Sequence, residues 1–86
     1  MYIAHCKIAC ERDPFGQEIM SRVCVYREVG TYAVHESNSN VFLYRFVNPF
    51  YAKRFADLYA KHLDDGAKIG TPLFTDMVKL AKAQAL

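Results

Sequence analysis

The chain has 86 residues, 52% of them hydrophobic and 14% aromatic, and eleven Lys and Arg against nine Asp and Glu leave a net charge of +2. So much apolar material with so little net charge excludes disorder, and the length supports one core, so a single domain over 1–86 is expected. No apolar run approaches the roughly 20 residues that span a bilayer, and the mild basicity is less than a dedicated DNA-binding domain carries.

The stretch from Met1 to Cys10 is interrupted by His5 and Lys7 and has no signal-peptide core. Within it, Tyr2, Ala4, Cys6, Ile8 and Cys10 alternate with Ile3, His5, Lys7, Ala9 and Glu11, the period of a strand. Asp13-Pro14-Phe15-Gly16 holds the residues a type I turn favours. Ile19 to Arg27 reads as a second strand. A helix over 14–29 is the rival, but Val23-Cys24-Val25-Tyr26 is stiff and β-formed. Val29-Gly30 punctuates, Thr31 to Glu36 is a short third strand, Ser37 to Asn40 a polar turn, and Val41 to Val47 a fourth strand.

The remainder is helical. Asn48 and then Thr71 stand as caps, each followed by a proline at the first turn. Tyr51, Phe55, Leu58, Tyr59, His62 and Leu63 form the apolar stripe of the first helix, which Gly66 ends. Ile69 is expected to anchor the connector. The second helix turns Phe74, Met77, Val78 and Ala81 inward, and the short connection favours antiparallel neighbours. The fold class is α+β: a four-stranded antiparallel β-meander over 1–47, with a C-terminal two-helix hairpin over 48–86 packed on one face.

Register decides which residues share a face. Pairing across the turns places Val23, Val25, Tyr32, Val34, Val41, Leu43 and Val47 on the helix side, with Arg45 their one awkward member at an edge, and with Ala4, Cys6, Ile8 and Cys10 joining them in one register of the first hairpin. A left-handed Gly16 would shift that hairpin by one residue, set Cys6 opposite Cys24 and move the even positions across. The other face collects His5, Lys7, Arg22, Cys24, Tyr26, His35, Phe42, Tyr44 and Phe46. Two helices cover one side of a sheet only, so this face is expected to meet a partner.

The partner-binding residues expected are therefore Phe42, Tyr44, Phe46, Tyr26, Arg22, His35 and Lys7. Aromatic and Arg side chains suit a protein partner or a homodimer seam. The alternative is single-stranded nucleic acid stacking on the same rings.

Other chemistries are weaker. His5 or His35 beside Cys6 or Cys24 lacks an orienting acid, so no enzyme activity is expected. Cys6, Cys10, Cys24 and His35 lack the paired spacing of a zinc site, so neither metal nor cofactor is expected. Three cysteines at irregular spacing point to reduced thiols and a cytoplasmic location. Lys53, Arg54 and Lys61 each stand one turn from Asp57, where helical ion pairing is expected. The function read from the sequence is a small non-enzymatic binding module, such as the accessory or inhibitory factors phages deploy against host defence.

Overall fold

The computed structural model describes residues 2–86, and its architecture follows from local turn chemistry. The Asp13 carboxylate accepts the N–H groups of Phe15 and Gln17 at 2.9 and 2.8 Å. Gly16 donates to the Asp13 carbonyl and turns left-handed at φ 81°. This closes a hairpin between β1 (Tyr2–Arg12) and β2 (Glu18–Arg27). A left-handed glycine adds one residue to the turn. The ladder accordingly pairs Cys6 with Cys24, Ile8 with Arg22 and Ala9 with Ser21.

The next turn closes with the Glu28 N–H on the Thr31 carbonyl and leads to β3 (Tyr32–Glu36). The third turn leads to β4 (Val41–Phe46). It is held by Glu36, whose carboxylate accepts the N–H groups of Asn38 and Ser39 at 3.1 and 2.7 Å and the hydroxyls of Ser21 and Ser39. The four strands form one antiparallel sheet in the order β1-β2-β3-β4.

Asn48 caps α1 (Pro49–Asp64) by accepting the Phe50 N–H at 2.8 Å, and Thr71 caps α2 (Pro72–Gln84) by accepting the Phe74 N–H at 3.2 Å. Gly66, at φ 82°, takes the chain out of α1. Both helices lie on one face of the sheet, with α1 touching all four strands and α2 resting mainly on α1. Val23, Val25, Val34 and Phe46 form the floor of the core, and Ala52, Phe55, Ala56, Ala60 and Leu63 the roof. Three alanines on the buried stripe let α1 approach the sheet closely. His62 is buried between Tyr59 and Phe74. No helix among the described residues is long and apolar enough to cross a membrane.

Three expectations are corrected. Cys6 and Cys24 are not reduced thiols but a disulfide, because the shifted hairpin brings them opposite each other; Cys10 stays free. Ile69 does not anchor the connector and is exposed. The third correction concerns β4, whose faces do not alternate regularly. Ala33 pairs with Arg45 and His35 with Phe42, so Leu43 and Tyr44 together stand opposite Val34. This is a β-bulge, one extra residue that reverses the facing of everything after it.

Candidate functional site

With the even positions of β1 turned away from the helices, the uncovered face carries Cys6, Ile8 and Cys10 on β1, and Met20, Arg22, Cys24 and Tyr26 on β2. His35 and Phe42 continue it across β3 and β4. Ile8 is 58% exposed, Met20 60% and Phe42 42%. A shallow pocket of ≈ 480 Å³ opens beside Ile8, Met20 and Arg22.

Tyr26, His35 and Phe42 form an aromatic cluster, one ring from each of three adjacent strands. Their centroids are 4.9 Å apart for His35–Phe42, 5.8 Å for Tyr26–His35 and 6.1 Å for Tyr26–Phe42, all tilted or edge-on. Edge-to-face contact is the arrangement ring quadrupoles favour. The Arg45 guanidinium lies 5.2 Å from the Phe42 centroid, and its Nε donates to the Glu28 carboxylate at 3.0 Å. His35 Nε2 sits 3.1 Å from Asn40 Oδ1. The face is therefore aliphatic and sulfur over β1 and the first part of β2, and aromatic from Tyr26 at the end of β2 across β3 and β4.

Of the seven residues expected here, four come together: Arg22, Tyr26, His35 and Phe42. Three do not. Lys7 pairs with Val23, a core residue, so it lies on the helix side. Tyr44 and Phe46 also turn to the helices because they follow the bulge. Tyr44 meets the Phe55 ring at 5.2 Å and Phe46 meets it at 5.6 Å, fully buried. Ile8 and Met20 were missing from the expected set. The sequence sign that finds them is Asp13-Pro14-Phe15-Gly16 read with a left-handed glycine.

The thiol left over is not poised as a nucleophile. Partial burial and the neighbouring Glu18 and Asp64 carboxylates push the Cys10 thiol up from its ordinary value, which lowers its thiolate fraction. Among the described residues, no three His, Cys, Asp or Glu side chains gather as a metal-ligand set.

On the helix side, His5 and Asp57 meet across 52 positions of sequence, with Nε2 and Oδ1 2.8 Å apart. The ion pairing expected between Asp57 and its helical neighbours is accordingly not seen. Among the described residues, none of Lys53, Arg54 and Lys61 has a carboxylate within bonding distance. Compared with known proteins, the chain matches no family model and no curated protein, and its fold matches no solved structure.

Proposed function

We propose that this chain is a non-enzymatic protein-binding module that works through the uncovered face of its sheet. The observation that carries the reading is one-sidedness. Both helices lie on one face, and Ile8, Met20 and Phe42 on the other are each between 42 and 60% exposed. Scattered exposed apolar residues are ordinary, but these share one face with Tyr26 and the Cys6–Cys24 bond. Arg22 lies among them with no carboxylate partner among the described residues, a charged group of the kind enriched in interfaces. Binding without a reaction is what an accessory or inhibitory factor does, and that role is part of the proposal.

The nucleic-acid alternative loses its stacking track. Bases stack on ring faces that line up along a strand. Here the bulge takes Tyr44 and Phe46 away, and the remaining rings contact one another and Arg45. The cytoplasmic location loses its support too, since it rested on reduced thiols and one pair is bonded.

The test is the variant Ile8→Ser/Met20→Ser/Phe42→Ser beside the wild type, in cross-linking to candidate partners and in sedimentation over a concentration series. The expected outcome is an association, with a second copy or another protein, that weakens at least about tenfold in the variant while the melting temperature changes little. An association that survives all three substitutions unweakened would overturn the reading.

A further inference from the structure

The two edges of the sheet are treated differently. The β4 edge is covered at its Arg45–Phe46 end by the chain itself, since Phe46 bridges to Ala85 and Leu86 donates its N–H to the Arg45 carbonyl at 2.8 Å. Among the described residues, β1, at eleven residues the longest strand, forms the other edge, and no strand pairs with its outer side. Its register tells which groups point outward. Cys6 and Cys24 have Cα atoms 4.1 Å apart, the narrow spacing of a pair that exchanges no hydrogen bonds. The backbone N–H and C=O of Cys6, and by period two those of Ile8 and Cys10, therefore face away from β2. Cys10 confirms this phase by donating its N–H outward to the Asp64 carboxylate at 2.6 Å.

Alongside that edge runs a groove of ≈ 500 Å³ between β1 and α1, lined by Lys7, Lys53, Arg54 and Lys61 together with the bonded pair His5 and Asp57. The helical members recur at three- and four-residue intervals, one stripe of α1. Four cations face one carboxylate, which already holds His5 at 2.8 Å. An unpaired strand edge beside a concentrated positive field fits one kind of ligand in particular. We propose that the β1 edge takes an extended acidic peptide segment of a protein partner, which joins the sheet as an added strand and lays its carboxylates in the groove.

Strand geometry specifies the segment further. Side chains of an added strand alternate between the two faces. Every second residue is acidic, toward Lys7, Lys53 and Lys61, and the residues between are apolar, over Ile8. The pairing stops at Cys10, where Asp64 occupies the outward N–H and repels further acid. Asp64 also shows that a carboxylate can satisfy this edge. The surface shares Ile8 with the uncovered face but not its aromatic half, so Phe42→Ser tells the two readings apart.

The experiment uses a fluorescein-labelled peptide of about six residues, a common strand length, alternating Glu and Val. It is expected to bind, and to bind less as salt rises. Lys53→Glu/Lys61→Glu, both exposed positions, lowers its affinity about tenfold or more with the melt unchanged. Two further peptides carry N-methyl groups on the valine amides or on the glutamate amides. Only one set of amides faces β1, so one peptide loses binding and the other keeps it. Phe42→Ser leaves binding intact. The proposal is overturned by no binding, by equal binding of a Lys/Val peptide, by equal behaviour of the two methylated peptides, or by tighter binding of a single-stranded oligonucleotide.

Discussion

β2 and β4 look alike on paper: both carry β-branched or aromatic residues and alternate in period two. β2 keeps its alternation, with Val23 and Val25 wholly buried on one side and Met20 and Arg22 exposed on the other. β4 breaks it at Leu43-Tyr44, and residues on the two sides of that break face opposite ways. The difference comes from neighbours. β2 is held on both flanks by ladders and by the bond to Cys6, whereas β4 is an edge whose last residue must reach Phe55. A period-two pattern reports facing only as far as the register is unbroken.

The sharpest way to break this comparison is to truncate the two β4 phenylalanines separately. Phe46→Ala removes a fully buried ring and is expected to cost about 3–5 kcal/mol in urea unfolding. Phe42→Ala, on the uncovered face, is expected to cost about 1 kcal/mol or less. Equal costs would mean that both rings lie on one side and that there is no bulge.

What was legible in the sequence divides along the same line. The helices were legible because their signals are local: Asn48-Pro49 and Thr71-Pro72 place cap and first turn within two residues. The meander and the Val23, Val25 and Val34 part of the floor were legible because turn residues and alternation agree, whereas Val41 and Val47, expected on the same floor, are exposed. The first hairpin stood between two registers, since both use Asp13-Pro14-Phe15-Gly16 and differ only in the sign of φ at Gly16. The disulfide was hidden behind that choice. The bulge leaves no mark on Phe42-Leu43-Tyr44-Arg45-Phe46, because the contacts that separate the two facings are distant in sequence: Phe42 meets His35 on β3, and Phe46 meets Phe55, nine residues beyond the strand. The freed cations of α1 were hidden likewise, because the partner of Asp57 comes from β1.

The covalent tie between β1 and β2 offers the second test. The bonded cysteines are 18 residues apart, and closing a loop of that size restricts the unfolded chain by roughly 3 kcal/mol. Reduction, or Cys6→Ser/Cys24→Ser, is expected to lower stability by about that amount, measured in urea, while Cys10→Ser changes it little. If Cys10→Ser costs more than the double substitution, the thiol pairing is different and so is the register of the hairpin.

The smallest expected effect bears on the tie between β2 and the turn that starts β4. Burial alone would raise the Glu36 carboxyl, but the Ser21 and Ser39 hydroxyls and the backbone N–H groups of Ser39 and Asn38 outweigh it and hold the group below its ordinary value of 4.5. A carboxyl lowered on folding binds its proton less readily in the folded chain than in the unfolded one. Its contribution is therefore complete above the unfolded value and drains away as pH falls from there through the folded value. Glu36→Gln keeps the shape and removes the charge, so it is expected to cost about 1–2 kcal/mol at neutral pH and to flatten the loss of stability below pH 4.5. Unfolding curves at neutral and acid pH measure both. If the variant keeps the full acid slope, the four donors do not converge on a charged Glu36, and β4 is held in register by its ladder to β3 and its packing on Phe55.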